Sequence, residues 1–265
     1  MLSKLSKNKY KLLLLVGMIL IIVDIFLHKG LVRFLLPKKF PTYSVENIEP
    51  LKNIALLNKN KNWVKAVNTP QKMEAITKET PGMELDIYFD TLKNIFDVHH
   101  DPGKSVGVNF ENLLQIYKKK NLDASIWIDF KNAHQQNIQP ALLLLVQLRE
   151  KYKLQKKLLV ESSNPALLQI FSENQFFTSY YVPFFNPYTS TSLKNKLMVD
   201  SMQTLLKKYP VHALSGYYFQ MPFLHQYFPH FPILSWAPND KWSLVNWVYK
   251  NKINANSSAF IALYN

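Results

Sequence analysis

The chain has 265 residues, 48% of them hydrophobic, enough for a large core, and the length suits one α/β barrel without requiring a second domain. It contains no cysteine, which excludes disulfides, thiol nucleophiles and cysteine-ligated metals. The formal net charge of +14 favours anionic partners; its lysines are scattered and form no basic block, which points to solubility and membrane proximity and away from nucleic acid.

Lys4, Lys7, Lys9 and Lys11 precede the apolar run LLLLVGMILIIVDIFL, residues 12–27. With its flanks the run reaches the roughly 17–25 residues of a bilayer span, and Asp24 falls near its end, where an interface tolerates a charge. No small-residue cleavage site of the A-x-A kind follows it. The expectation is an uncleaved signal anchor that crosses the membrane once and leaves the rest of the chain outside the cytoplasm. Lys29, Arg33, Lys38 and Lys39 follow the run and weaken the positive-inside asymmetry, so an amphipathic surface helix stands as the alternative. Residues 1–39 read as anchor and juxtamembrane segment, 40–61 as a linker, and 62–265 as the folded domain.

From Trp63 a regular alternation begins. Strand-like runs occur at WVKAVN (63–68), MELDIYF (83–89), SIWIDF (125–130), KLLVES (157–162), FTSYYVP (177–183), HALSGYY (212–218), FPILSW (231–236) and SAFIALY (258–264). Helix-like segments lie between them: PQKMEAITKE, NFENLLQIYKKK, PALLLLVQLREKY, NPALLQIFSEN, SLKNKLMVDSMQTLLKKY and DKWSLVNWVYKN. Thr69-Pro70, Asn164-Pro165 and Asn239-Asp240 supply helix start signals. Strand and helix alternating to eight strands predict a (β/α)8 TIM barrel behind one N-terminal transmembrane helix. The piece between Phe89 and Asn109 predicts a loop with one short strand, IFDVHH.

A barrel of this kind places its active site at the C-terminal strand ends. The polar residues there are Lys65 and Asn68, then Glu84 and Asp86, then His99, His100 and Asp101, followed by Asp129 and Lys131, Glu161, and Trp236. Residues two apart in a strand share a face, so Glu84 pairs with Asp86, and Asp129 with Lys131, toward the barrel interior. Charged pairs pointing into an apolar interior need a partner or a purpose. Each position also has a plainer explanation: the carboxylates and lysines as strand-end ion pairs, Asn68 as a turn residue before Thr69-Pro70, and Trp236 as core.

The order E-x-D on a strand, an H-D-P turn and an acidic-x-Lys strand resembles the glycerophosphodiester phosphodiesterase and phosphatidylinositol phospholipase C superfamily. The resemblance runs from Trp63 to the C-terminus, through MELDIYFD…FDVHHDP, NFENLLQIYK, IWIDFKN, LLVESSNPALL and ILSWAPND. It implies cleavage of a phosphodiester, such as a glycerophosphodiester or a phospholipid head group, assisted by a divalent cation, calcium or magnesium. Carried to matching positions, it makes Glu84, Asp86 and Asp129 metal ligands with Asn68 a fourth, His100 an acid–base residue, and Lys131 a phosphate contact. Apart from the resemblance, Glu161 and Trp236 are candidate substrate contacts by their place at strand ends. Oxygen ligands suit such hard cations, and a histidine titrates near neutral pH.

Lys65 departs from the pattern, because the superfamily carries its first histidine at that place on strand 1. A lysine exchanges protons near pH 7 only when its pKa is strongly lowered, and loss of one acid–base partner costs about 10²–10⁴ in rate. Three readings follow: a phosphodiesterase with altered acid–base chemistry, a pseudoenzyme that binds a ligand or partner, or a structural barrel in which Lys65 neutralises the buried acids. Other classes lack their motifs. The six glycines form no phosphate-cradling loop, there is no Gly-x-Ser-x-Gly elbow, and no nucleic-acid module is present.

Overall fold

The computed structural model describes residues 2–27, 39–56, 61–237, 243–256 and 259–264. One apolar helix, α1 (Leu2–Leu27), precedes an alternating series. It runs β1 (Asn62–Val64), α2 (Pro70–Ala75), β2 (Gly82–Asp90), β3 (Ile95–Val98), α3 (Phe110–Lys119), β4 (Ser125–Phe130) and α4 (Ile138–Lys151). It continues β5 (Leu158–Ser162), α5 (Pro165–Glu173), β6 (Phe177–Tyr181), α6 (Ser192–Lys208), β7 (Ala213–Tyr217), α7 (Met221–Tyr227), β8 (Ile233–Ala237), α8 (Leu244–Ala255) and β9 (Ala259–Tyr264). The strands pair in the order β1-β9-β8-β7-β6-β5-β4-β2, and β1 pairs β2 in turn, so eight parallel strands close a barrel. β3 stands outside the ring, antiparallel to the far end of β2, with Ile87 opposite Val98 and Asp90 opposite Ile95.

The expected (β/α)8 barrel is therefore present, with all eight strands and the short extra strand. The expected starts at Thr69 and Asn164 cap α2 and α5, their side chains accepting from Lys72 N and Ala166 N. Asn239-Asp240 lies outside the described residues; α8 is described from Leu244, with Ser243 Oγ accepting from Asn246 N at 3.0 Å. Helix α7 was not expected. It lies in the stretch between the seventh and eighth strands and carries a proline in its first turn.

Inward residues alternate along each strand and form layers. At the floor Trp63, Trp127, Leu159, Phe177, Ala213 and Leu234 pack into one apolar cluster. Gly82 is required there, since a Cβ added to it would lie 2.1 Å from the Trp63 ring. One step up the same strands, the inward positions become polar: Glu84, Asp129, Glu161, Ser179 and Ser215. The helices cover the outside of the ring through a second, larger apolar cluster.

Residues 39–56, expected as linker, lie against the barrel. Phe40 N donates to Gln226 Oε1 at 3.2 Å, Glu46 N to Gln203 Oε1 at 3.1 Å and Leu51 N to Val211 O at 2.9 Å. Tyr43 stacks on Tyr227, and Phe40 and Leu56 are buried. The segment is an irregular strap whose backbone groups are satisfied by elements of the C-terminal half.

Residues Asn8–Leu27 of α1 are long and apolar enough to cross a membrane, and none of that window is buried against the barrel. Near its end, Asp24 Oδ2 accepts from Val245 N at 2.9 Å, meeting the first turn of α8.

Candidate active site

β1 ends at Val64 because the next residues turn. Ala66 takes a left-handed φ of 53°, and its N–H donates to Glu84 Oε2 at 2.6 Å. Such a φ is strained for a residue with a side chain and is concentrated at functional sites. The chain then returns to the ladder, with Val67 N donating to Glu84 O at 2.8 Å. One residue on, Asn68 is bound to Asp86 at both ends of its amide. Its Nδ2 donates to Asp86 Oδ2 at 2.6 Å, and its Oδ1 accepts from Asp86 N at 3.0 Å. Asn68 thus orients Asp86, and its Oδ1, which accepts one N–H, keeps a second lone pair.

Register brings the acids together. Asp86 sits opposite Asp129 across β2 and β4, and Asp129 opposite Glu161 across β4 and β5. Carboxylate oxygens of Glu84, Asp86 and Asp129 lie within 4.8 Å of one another. Lys131 Nζ bonds Asp86 Oδ1 at 2.8 Å and also pairs with Asp129. The cation that bridges acids is therefore Lys131. Lys65 instead places its Nζ over the Trp236 ring, 5.7 Å from the centroid.

Electrostatics follow from crowding and burial. Burial, then Asp86 and Asp129, push the Glu84 carboxyl up to about 8, against the pull of the Ala66 N–H and Lys65. Burial raises Asp129 despite Lys131, and burial with Asp129 nearby raises Glu161 further. Burial opposes the Lys131 ammonium, but Asp129 and Asp86 outweigh it and raise its pKa. Glu161 Oε2 is buried without a hydrogen-bond partner. Four carboxylates thus meet two lysines, and the donor set is all oxygen. These residues fit a hard divalent cation, and the buried Glu161 Oε2 without a hydrogen-bond partner is an oxygen that such a cation would satisfy.

Adjacent histidines divide the work. His99 is buried, stacked on Tyr88 with ring centroids 4.1 Å apart, and its Nδ1 lies 2.8 Å from Asp101 O. The His100 side chain is 64% exposed, and its Nδ1 lies 2.8 Å from Asp101 Oδ1. Lys104 holds the other Asp101 oxygen at 2.8 Å, and together Lys104 and His100 bring the Asp101 carboxyl down to about 2. A permanently ionised Asp101 orients the His100 ring through Nδ1 and leaves Nε2 for chemistry.

One cavity of about 130 Å³ collects these groups. It is lined by Lys65, Glu84, Asp86, His100, Asp129, Lys131, Glu161 and Trp236, with Trp127 and Leu263 below. Two further residues complete the wall: Tyr181, from the aromatic run 176–188 that the sequence offers as a pocket lining or a packed strand, and Tyr217, which the sequence reading does not single out. Each stands two positions beyond an inward serine, Ser179 or Ser215, at the end of its strand. Period-two counting would have found them.

Fold and site together define an α/β barrel with an acidic, cation-ready mouth. No protein-family model and no curated protein sequence matches the chain. Solved structures do. One described as a glycerophosphoryl diester phosphodiesterase from Silicibacter pomeroyi aligns at TM-score 0.54 and 10% identity, covering 80% of this chain and 91% of that one. A glycerophosphodiester phosphodiesterase from Parabacteroides distasonis aligns at TM-score 0.51 and 16% identity, covering 78% and 93%. A phosphodiesterase from Oleispira antarctica, solved with the product sn-glycerol-3-phosphate, aligns at TM-score 0.50 and 10% identity, covering 77% and 92%. The fold of this chain is the barrel that these glycerophosphodiester phosphodiesterases share.

Proposed function

We propose that the protein is a membrane-anchored phosphodiesterase that cleaves a glycerophosphodiester or phospholipid head group with a divalent cation, calcium or magnesium. The observation that carries this reading is the meeting of Glu84, Asp86 and Asp129 with the His100–Asp101 pair in one cavity at the barrel mouth. Glu84, Asp86 and Asp129 would hold the cation, with Glu161 completing the negative set. When bound, the cation neutralises phosphoryl charge and polarises the P–O bond. Lys131 and Lys65 contact the remaining phosphate oxygens, and Trp236, Tyr181 and Tyr217 form the wall against which the alcohol lies. His100 Nε2 moves the proton, with its Nδ1–H held by Asp101. The anchor is α1, crossing the membrane once, with the barrel on the extracytoplasmic side.

Lys65 favours a second reading, a pseudoenzyme that binds a phosphorylated ligand or a partner. Its amine lies over Trp236 at the strand-1 position, and among the described residues no second histidine lines the cavity. The full chain in detergent, assayed on glycerophosphodiesters and lysophospholipids, separates the two. Under the enzyme reading, calcium or magnesium supports turnover, EDTA abolishes it, and Glu84→Gln or Asp86→Asn lowers it by at least about 10². Lys65→His raises the rate if the site lacks only its second acid–base group. No turnover in the wild type and none gained by Lys65→His would overturn the enzyme reading.

A further inference from the structure

Outside α1, the exposed large apolar side chains among the described residues are Leu92 on the β2–β3 turn, Val106, Leu143 on α4, and six that follow β6 or lie at the starts of α6 and α8. In a βα barrel the segments that carry those six surround the mouth, because each helix starts where its strand ends. Phe184 and Leu193 follow β6, Leu197 lies in the second turn of α6, and Leu244, Trp247 and Val248 form one face of the start of α8. In ring order these elements follow β6 and β8, and the rim beside β7 is filled by Phe219.

The aromatic side chains run without a break from the pocket to this rim. Trp236 meets Tyr217 with centroids 4.9 Å apart, and Tyr217 meets Phe184 at 5.0 Å and Phe219 at 5.5 Å. At the far end of the chain's only described helix of spanning length, Asp24 is bonded to Val245 N, beside Leu244 and Trp247. The exit point of the span and the apolar half of the rim are thus at the same level. The opposite end of the barrel is dressed differently, with Lys118, Lys119, Lys151, Lys207 and Lys208 at helix C-termini. There they suit the helix dipole and water.

We infer that the barrel docks mouth-down on the bilayer that α1 spans, with Phe184, Leu193, Leu197, Leu244, Trp247 and Val248 in the lipid interface and the acidic pocket opening onto it. The inference rests on the anchor reading of α1 and adds an orientation to it. Six exposed apolar side chains along the rim of a basic protein need a cover, and α1 is held beside them by the bond from Val245 N to Asp24. Aromatic side chains such as Trp247 and Phe184 favour that interface. A phosphodiester head group would then enter the pocket from the membrane plane, its apolar part leaving along Phe184 and Phe219.

The absence of cysteine makes the test direct, since any introduced cysteine is unique. The full chain is reconstituted into phospholipid vesicles with an environment-sensitive fluorophore at Phe184→Cys or Leu197→Cys on the rim, or at Lys119→Cys or Lys208→Cys on the base. Nitroxide-bearing lipids should quench the rim labels and blue-shift their emission, while the base labels stay unquenched. Equal quenching at both ends, or none at either in protein that floats with the vesicles, overturns the orientation and leaves the anchor standing. Rim labels that quench one another between copies but not with lipid assign the rim to a second copy of the chain and also overturn it. Protein that does not float with the vesicles fails the anchor reading itself.

Discussion

Single residues carry the chemistry, and they were unequally legible. Glu84, Asp86, Asp129 and Glu161 could be found because alternate residues of a strand share a face, so an acid at an inward position announces itself. What they bond to could not. Nothing in the residue type says that Ala66 adopts a left-handed turn, or that Lys131, two residues from Asp129, reaches back across the register to Asp86. Away from the site, His212 is the residue with the clearest pH signature. Its Nδ1 accepts from Thr178 N at 3.1 Å and its Nε2 lies 2.8 Å from Asn53 Oδ1, so it is buried neutral, and burial pulls its pKa down to about 4. A histidine with a folded pKa below its unfolded value of about 6.5 binds fewer protons folded than unfolded. Its contribution is therefore present above pH 6.5 and lost as pH falls toward 4, by at most on the order of 3 kcal/mol. Urea denaturation from pH 7 to pH 4 should show an acid-side loss in the wild type that is shallower in His212→Gln.

At the scale of elements, the strands were legible because each is a short β-branched or aromatic run between polar breaks. The strap was not, because its few buried residues, such as Phe40 and Leu56, are isolated among polar ones and fixed only by distant partners. Helix α7 was hidden for a related reason: MPFLHQY is dense in large apolar side chains and has no polar face to set a helical period. The barrel floor offers the sharpest test of an element contact. β1 and β2 approach so that the Trp63 indole lies on Gly82. Gly82→Ala inserts a methyl into that space and should cost about 1–3 kcal/mol by overpacking, read as a lower denaturation midpoint. An exposed substitution such as Leu92→Ala on the β2–β3 turn should leave the midpoint unchanged.

For the whole molecule, the acidic mouth sets a dependence of stability on pH and cation together. The Glu84 carboxyl, raised to about 8, is protonated in the folded state over a range where the unfolded chain has lost its proton. The Glu84 contribution to cation-free stability therefore falls as pH rises from about 4.5 to 8. A cation competes with those protons for the same oxygens. Added calcium or magnesium should then raise the melting temperature more at pH 8.5 than at pH 6; an equal shift at both would show the cation binding elsewhere. The strap and ring closure also dictate an order of events during synthesis. α1 is made before the barrel, yet its partner Val245 lies in α8, after eight of the nine strands. β1 cannot pair on both sides until β9 exists, and the strap waits for Gln203, Val211 and Gln226. The nascent chain must therefore carry an open ring, with β1 paired to β2 alone, until β9 has been made. The ring then closes in a late step that brings β9 to β1, a pairing distant in sequence.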